Sequence, residues 1–348
     1  MAFKISGREV GDASDPLVIA EIGINHEGSL DVAKAMVDAA VTAGAEIIKH
    51  QTHIVEDEMS DDARSVIPGN TNVSIYEVME RCALSEKDEF ELMNYVVAQG
   101  AIFISTPFSK KSVDRLVKFN VPAFKVGSGE CNNFPLIKYI ASFGKPMIVS
   151  TGMNTLESVK ATAEILESAG VDYAFLHTTN LYPTPPELVR LGAMQKLMSE
   201  FPNVEIGLSD HTTSNHACFA AVALGATILE RHFTDNLNRP GPDIVNSMDP
   251  IALTELINGS SLIAKMRGGE KQPAKEEQVT MDFAFASVVS IRDIEQGELI
   301  TQDNIWLKRP GGGDFGASDY DSLIGLKAKH SVKSGTQLRR SHLSTIIN

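Results

Sequence analysis

The sequence predicts a (β/α)8 TIM barrel followed by a small C-terminal domain. Eight short apolar segments, rich in β-branched residues, recur between Leu17 and Met266. Each is followed by a stretch in which apolar residues have helical spacing. Eight strand–helix units in about 250 residues match the usual size of such a barrel. The remainder of the 348-residue chain suffices for a second domain.

The predicted strands recur at regular intervals, and polar residues stand at the end of each. They cover residues 17–25, 46–51, 101–106, 123–128, 146–151, 173–180, 204–209 and 227–232. The stretches between them, such as 30–43 and 214–225, have the alanine-rich faces of helices that pack on a sheet. Several of them end in glycine, as at Gly170 and Gly225, which suits the C-terminal cap of a helix.

A doubly wound open sheet is the alternative fold for alternating strands and helices. No Gly-x-Gly-x-x-Gly motif follows the first predicted strand, and eight units close a barrel naturally, so the barrel is favoured. We predict the barrel domain at residues 1–266, a polar, breaker-rich linker at 267–281, and a small domain of short strands and turns at 282–348.

Composition predicts a globular protein of the cytoplasm. Hydrophobic residues make up 43% of the chain and charged residues 22%, and no apolar run reaches the roughly 20 residues of a membrane-spanning helix. The N-terminal residues lack the apolar core of a signal peptide. Cys82, Cys131 and Cys218 are scattered and odd in number, which argues against a disulfide framework. The formal net charge of −14 argues against nucleic acids and acidic membranes as partners.

Two histidines stand at the ends of the last two predicted strands. His211 follows the strand at 204–209, and His232 ends the strand at 227–232. Imidazoles at the ends of neighbouring parallel strands can converge on one divalent metal ion. The alternative is that they are two unrelated polar residues on loops.

Other polar side chains stand at strand ends, where enzymes with this fold carry their catalytic groups. Lys49 and Lys125 end two strands. Hydroxyl and amide side chains follow further strands: Ser128, Ser150, Asn180 and Ser209. Together these residues predict a binding site for phosphate and carboxylate groups. For either lysine alone, a solvated surface position is the alternative.

Glu21 and Glu130 are carboxylates at strand ends in apolar surroundings. Either can orient a water or a sugar hydroxyl, or act as a general acid or base. The alternative is a salt bridge to a neighbouring lysine inside the barrel.

The connection at residues 52–74 is long for a loop of this fold. It is either a lid over the catalytic face or a plain insertion.

Motifs along essentially the whole chain resemble the bacterial N-acetylneuraminate (sialic acid) synthases. They lie at residues 21–28, 49–52, 105–108, 125–133, 150–153, 180–185, 207–212 and 230–234. Residues 282–287 and 308–311 are similar to the antifreeze-like (SAF) domain of those enzymes. Legionaminic and pseudaminic acid synthases share most of these motifs. The segments 56–72 and 74–84 look most like the sialic and legionaminic branches.

The resemblance implies condensation of phosphoenolpyruvate with the open-chain form of N-acetylmannosamine, which gives N-acetylneuraminate and phosphate by C–O cleavage. One alternative is a legionaminic acid synthase that uses 2,4-diacetamido-2,4,6-trideoxymannose. Another is a different phosphoenolpyruvate-dependent aldol-type synthase. A carbohydrate-binding or ice-binding protein built around the tail domain is the non-enzymatic alternative, and it leaves the polar strand ends unexplained.

The resemblance also implies roles for individual residues. His211 and His232 match ligands of Mn²⁺, although other divalent ions suit such a site. Glu21 matches a residue beside metal-bound water. The positions that match phosphoenolpyruvate contacts are Lys49, Thr106, Lys125, Ser128, Ser150, Asn180 and Ser209. The positions that match contacts near the sugar are Gln51, Asn70, Glu130, Tyr182 and Asp243. Arg309 matches an arginine that one protomer of a domain-swapped homodimer delivers to its partner's active site.

Overall fold

The computed structural model describes residues 2–68 and 72–344. The chain folds into two compact units, Met1–Gly268 and Gly269–Asn348. Within the described ranges, no helix is both long enough and apolar enough to cross a membrane.

The N-terminal unit begins with a hairpin that the sequence analysis did not predict. Strands β1 (Phe3–Ile5) and β2 (Arg8–Val10) pair antiparallel. The apolar side chains of this hairpin pack against the first inward-facing residues of the barrel strands, such as Leu17 and Ile47. The hairpin therefore closes the N-terminal end of the barrel. Three-residue strands carry too short an alternation to be recognised from sequence.

Eight parallel strands then close a barrel, as predicted. They are β3 (Leu17–Gly23), β4 (Ile47–Thr52), β5 (Ile102–Pro107), β6 (Phe124–Val126), β7 (Met147–Ser150), β8 (Tyr173–Thr178), β9 (Glu205–Asp210) and β10 (Ile228–His232). Each pairs with the next in chain order, and β10 pairs with β3 to complete the ring. Every strand overlaps a predicted segment. The barrel is therefore confirmed and the doubly wound sheet is excluded.

Helices of the N-terminal unit are α1 (Leu30–Thr42), α2 (Val55–Glu58), α3 (Ile75–Cys82), α4 (Glu86–Ala98), α5 (Lys110–Phe119), α6 (Phe134–Ala141), α7 (Leu156–Ala169), α8 (Leu191–Glu200), α9 (His216–Ala223) and α10 (Pro250–Met266). Helices α2 and α3 belong to the long connection between β4 and α4. The others follow successive strands. Outward-facing strand residues, among them Phe103 and Phe175, pack beneath them in the main core.

The interior of the barrel changes from apolar to polar along the strands. Because side chains alternate across a strand, every second residue points inward. On β10 these are Ile228, Glu230 and His232, of which Ile228 belongs to the apolar interior cluster. The inward residues at the start of the other strands are also apolar, for example Leu17, Ile47, Ile104 and Ile148. The polar strand ends therefore lie on a fully buried apolar layer.

The C-terminal unit contains α11 (Gln278–Ala284), β11 (Ser287–Ser290), β12 (Ile305–Lys308) and α12 (Tyr320–Leu323). Strands β11 and β12 pair antiparallel, and residues such as Val288, Ile305 and Leu338 form a separate small core. The boundary between the two units falls within the segment predicted as a linker at 267–281, part of which is helical. The last residues of this segment form a 3-10 turn and the start of α11, and no residue of α11 is buried. A solvated helix of this kind lacks the buried apolar stripe that would distinguish it from a linker in the sequence.

Candidate active site

A cavity of about 650 Å³ opens at the C-terminal end of the barrel. Predicted site residues from the ends of all eight strands line it. They are Glu21, Lys49, Gln51, Thr106, Lys125, Ser128, Glu130, Ser150, Asn180, Tyr182, Ser209, His211, His232 and Asp243. Two predicted residues are not among them. Asn70 lies outside the described residues, and Arg309 is an exposed residue of the C-terminal unit. The roles assigned to both remain predictions.

Buried lysines and glutamates form the floor of the cavity. Lys49 Nζ lies 2.6 Å from Glu21 Oε2 and 3.6 Å from Glu230 Oε1. Lys125 Nζ also lies 3.6 Å from Glu230 Oε1 and donates a hydrogen bond of 2.7 Å to Ser150 Oγ. Two ammonium groups are therefore held side by side by two carboxylates on an apolar layer. Such a cluster can bind anionic groups through the ammonium protons that it leaves available.

Burial shifts the protonation equilibria of this cluster. It raises the pKa of Glu21 to about 7, although Lys49 opposes the shift. It lowers the pKa of Lys125 to about 8, with Glu230 opposing. For Glu230, burial favours the neutral acid, but Lys125 and Lys49 outweigh it and hold the pKa below its usual range. Glu21 can therefore exchange a proton near neutral pH, while Glu230 remains a fixed negative charge.

Glu230 belongs to this site although the sequence analysis did not select it. It is buried between the two lysines, and its Oε1 accepts a hydrogen bond of 3.2 Å from Ser209 Oγ. The available signal was its spacing of two residues from His232, which places both side chains on the inner face of β10. The next residue, Arg231, faces the helices instead and binds Asn215 and Thr212.

Gly23 leaves room for the hydrogen bond between the side chains of Glu21 and Gln51. The register between β3 and β4 shifts between Glu21 and Gly23, and Gly23 has a φ of +47°. A Cβ at Gly23 would lie 2.9 Å from Glu21 Oε1 and 3.1 Å from Gln51 Nε2. Any larger residue would therefore disturb the hydrogen bond of 2.7 Å that Gln51 Nε2 donates to Glu21 Oε1.

Further polar groups surround the lysine cluster. Thr106 Oγ1 accepts a hydrogen bond of 3.3 Å from Lys49 Nζ, and Ser128 Oγ accepts one of 3.1 Å from the Gly152 amide. Asn180 Oδ1 is buried and, among the described residues, has no hydrogen-bond partner. Buried polar atoms are rarely left unpaired in folded proteins. We therefore expect a ligand or water to satisfy this oxygen.

His211 and His232 lie next to this cluster, with their ring centroids 5.4 Å apart. Burial lowers the pKa of His211 to about 4 and that of His232 to about 3, so both rings are neutral at pH 7, as metal ligands must be. Thr179 O lies 2.9 Å from His211 Nδ1. This carbonyl oxygen accepts a hydrogen bond from the Nδ1–H group, which leaves Nε2 free to ligate.

The donor set fits a divalent metal ion. Within the part of the chain that the structure describes, His232 Nδ1 is buried without a hydrogen-bond partner, and Asp243 Oδ2 lies 3.6 Å from it. The same part of the chain holds no cluster of three or more His, Cys, Asp or Glu side chains arranged around a metal position. Two imidazoles would therefore share such an ion with oxygen atoms of substrate and water.

The outer part of the cavity is more apolar. Tyr182 stacks on His211 with ring centroids 4.2 Å apart. Glu130 and Asp243 also line this part, and burial raises their pKa values to about 7 and about 6. The apolar lining is contributed mainly by the long β4–α4 connection and its neighbours: Ile24, Met59, Pro68, Ile75, Val78, Met79 and Pro242. This connection therefore forms a wall of the site and is not a plain surface insertion.

Known families match both units of the chain. Residues 36–272 match the NeuB family, and residues 285–344 match the SAF domain. The chain belongs to the NeuB family. It is 35% identical to N,N'-diacetyllegionaminic acid synthase of Campylobacter jejuni, over 93% of this chain and 98% of that protein. It is 34% identical to human N-acetylneuraminate-9-phosphate synthase, over 94% of this chain and 92% of that protein.

A solved structure supports the same assignment. The N-acetylneuraminic acid (sialic acid) synthetase from Leptospira borgpetersenii has a TM-score of 0.74 and 26% identity, over 81% of this chain and 95% of that chain. The fold class and family predicted from the sequence are thus confirmed. The chain is an enzyme, a phosphoenolpyruvate-dependent sugar acid synthase of the group that includes sialic, legionaminic and pseudaminic acid synthases.

Proposed function

We propose that this enzyme condenses phosphoenolpyruvate with the open-chain form of N-acetylmannosamine to give N-acetylneuraminate and phosphate. The observation that carries the proposal is the placement of Lys49 and Lys125 beside His211 and His232 in one buried cavity. An anion site for phosphoenolpyruvate thereby adjoins a site for the carbonyl group that it attacks.

His211 and His232 would hold the divalent metal ion, for which Mn²⁺ is our proposal. When bound, the ion supplies Lewis-acid polarisation of the sugar carbonyl. The neutral state of both rings and the unpaired Nδ1 of His232 support this assignment.

Lys49, Lys125 and the surrounding hydroxyl groups hold the phosphate and carboxylate of phosphoenolpyruvate throughout the reaction. C3 of phosphoenolpyruvate attacks the aldehyde carbon, water adds at C2, and the C2–O bond to phosphate then breaks. Glu21 is placed to take the proton of the water, because its pKa of about 7 suits a base at neutral pH. Glu130 and Asp243 line the sugar end of the cavity, where an acid can protonate the alkoxide oxygen and so form the new hydroxyl group.

The outer lining favours an acceptor without a phosphate group. Among the described residues that line the cavity, the lysines and arginines are Lys49 and Lys125 alone, and both are held by carboxylates at its floor. A phosphate on the far end of the sugar would meet apolar side chains such as Ile75 and Met79, and the carboxylates Glu58 and Asp243. Burial of a phosphate against these side chains is costly unless the partner's Arg309, proposed below to reach this site, pairs with it.

The same apolar lining supports a second candidate acceptor, 2,4-diacetamido-2,4,6-trideoxymannose. This sugar carries a methyl group in place of the hydroxymethyl group at C6, and a second acetamido methyl. Each methyl would find apolar partners among Met59, Val78 and Met79, at roughly 0.8 kcal/mol for each buried carbon.

We also propose a homodimer in which Arg309 of one protomer acts in the active site of its partner. The exposure of this side chain and its match to the family's pattern support the proposal. An Arg309→Ala variant and a His211→Ala variant, each inactive alone, should regain activity when mixed under conditions that exchange subunits. Absence of rescue after demonstrated exchange would exclude action in trans.

Phosphate release tests the proposed function. The enzyme is incubated with phosphoenolpyruvate, Mn²⁺ and each sugar in parallel: N-acetylmannosamine, its 6-phosphate, and the diacetamido sugar. We expect metal-dependent phosphate release with an unphosphorylated sugar and little with the 6-phosphate. Failure to release phosphate with any acetamido sugar would overturn the proposal. Faster turnover of the diacetamido sugar would replace N-acetylmannosamine with the second candidate.

A further inference from the structure

A chain of hydrogen bonds leads from Glu21 out of the cavity floor. Gln51 Nε2 donates to Glu21 Oε1 at 2.7 Å, and Gln51 Oε1 lies 3.0 Å from His53 Nε2. The other ring nitrogen of His53, Nδ1, lies 2.8 Å from Glu58 Oε2. The side chain of His53 is 1% exposed and that of Glu58 is 10% exposed. Solvent therefore cannot readily replace these partners.

The direction of each hydrogen bond follows from the charge on Glu21. Because Glu21 is paired with Lys49 at 2.6 Å, its carboxylate accepts and Gln51 must present its NH₂ group. The oxygen of the Gln51 amide then faces His53, so His53 Nε2 must carry a hydrogen. The short contact between His53 Nδ1 and Glu58 requires one further proton on either atom. This pair therefore holds a proton that keeps the Gln51 amide in one orientation.

The opposite orientation of the Gln51 amide would remove the hydrogen bond that Glu21 accepts. Its oxygen would then face the Glu21 carboxylate at hydrogen-bond distance, and two acceptors would meet. Its NH₂ group would face His53 Nε2, which would have to give up its hydrogen. The hydrogen on His53 Nε2 is thus what distinguishes the two orientations.

Two independent contacts hold His53 in place. Its ring stacks on Phe108 with centroids 4.5 Å apart and planes 12° from parallel. Glu58 ends helix α2, which is tied to the start of α5 because Asp57 Oδ2 accepts a hydrogen bond of 2.9 Å from the Lys111 amide. The imidazole is therefore clamped between the β5–α5 turn and the β4–α4 connection.

We propose that His53, held by Glu58, is a positioning residue that fixes the orientation of the Gln51 amide and thereby of the Glu21 carboxylate. The inference rests on the proposed function for the role of Glu21 as a base. His53 does not need to touch substrate in this role. The long β4–α4 connection thus contributes to the chemistry as well as to the wall of the cavity.

The test compares substitutions that keep or remove the donor toward Gln51. His53→Phe keeps the stacked ring and removes both nitrogens. His53→Gln places an amide NH₂ near the position of His53 Nε2. Glu58→Gln can donate to His53 Nδ1 and so keeps the hydrogen on Nε2. With both substrates saturating, we expect kcat to fall about 10- to 100-fold in His53→Phe and to stay within about threefold of wild type in the other two.

A purely structural role for His53 predicts a different outcome. It would raise the KM for phosphoenolpyruvate or weaken Mn²⁺ binding, measured by the loss of the free-ion EPR signal, whereas we expect both to be unchanged. The melting temperature of His53→Phe should fall, because Gln51 and Glu58 lose a buried partner, so kcat is compared at a temperature at which every variant is fully folded. Equal kcat in His53→Phe and wild type would overturn the proposal. Equal losses in His53→Phe and His53→Gln would overturn it as well.

An observation that needs no turnover separates this inference from the proposed function. In protein labelled with ¹⁵N at glutamine side chains, the Gln51 NH₂ signal is assigned by its loss in Gln51→Leu. We expect slow hydrogen exchange of this signal in wild type and in Glu58→Gln, and fast exchange in His53→Phe. If the hydrogen exchange of the Gln51 NH₂ group stays slow in His53→Phe, the positioning role is overturned even if the enzyme releases phosphate. Fast exchange in His53→Phe supports the role even if the substrate assignment fails.

Discussion

The two faces of strand β10 carry charged residues into very different surroundings. On the outer face, Arg231 is fully buried and donates to Asn215 Oδ1 at 2.6 Å and to Thr212 O at 2.7 Å, with Asp210 3.3 Å away. On the inner face, Glu230 and His232 keep buried atoms, Oε2 and Nδ1, without hydrogen-bond partners in the described structure. Arg231 Nε on the outer face also lacks a hydrogen-bond partner among the described residues, but it lies 3.3 Å from the Asp210 carboxylate. Glu230 and His232 instead line the cavity at the C-terminal end of the barrel, where a ligand can reach their unpaired atoms. We take that difference as the signature of a binding site.

Removal of either cavity histidine, His211 or His232, should have the largest effect. His211→Ala and His232→Ala each delete a proposed metal ligand, so turnover should fall by about 10³-fold or more. The melting temperature should change little, because both rings line the cavity and do not fill the apolar core. Calorimetric titration with Mn²⁺ should show lost binding. His216→Ala, an exposed histidine on α9, is the matched control. Full activity in either variant would refute the metal assignment.

Glu230→Gln and Arg231→Met compare the two faces of β10 directly. Glu230→Gln leaves Lys49 and Lys125 with one carboxylate, so we expect kcat to fall about 100-fold. Arg231→Met leaves Asp210 buried without its cation, at a cost of about 3–5 kcal/mol in the free energy of unfolding. The Arg231 variant should retain most of its turnover at low temperature, where it remains folded. Urea unfolding and kinetics on both variants provide the measurement. A larger kcat loss in Arg231→Met than in Glu230→Gln would show that turnover depends more on the outer face of β10 than on the inner face.

The barrel was predictable because its signals are local and repeated. Each strand carries its own apolar run, and each polar end follows one. The inner face of β10 was harder to predict, because Glu230 and Arg231 are adjacent charged residues and only the alternation of side chains from His232 indicates which of them enters the cavity. Likewise, the contact of Gln51 with His53 and Glu58 depends on the shape of a connection that no periodic pattern describes.

Gly23→Ala tests whether the space beside Glu21 is needed, and it should lower kcat less than Glu230→Gln does. The added Cβ would lie 2.9 Å from Glu21 Oε1, so we expect a kcat loss of about tenfold as the Gln51 contact is displaced. Gly100→Ala is the control, because Gly100 also has a positive φ and a Cβ added there would have no described atom within 4 Å. Both substitutions should cost about 1–2 kcal/mol in stability from backbone strain. Equal activity in the two variants would show that the space at Gly23 is not needed for catalysis.

Glu130→Gln should have the smallest effect, on the pH dependence of stability. Burial, and then the charge of Glu58, raise the pKa of Glu130 from 4.5 to about 7 in the folded protein. The folded state therefore binds this proton more tightly than the unfolded state. The associated stability is fully present below about pH 4.5 and is lost as pH rises through 7. Because glutamine stays neutral, the variant should lose less stability than wild type between pH 5 and 8, by on the order of 2 kcal/mol. Urea unfolding across this range measures the difference, with the exposed Glu56→Gln as control. Parallel pH profiles for wild type and Glu130→Gln would show that folding does not shift this carboxyl group. It would then be charged at neutral pH and could not serve as the acid at the sugar end of the cavity.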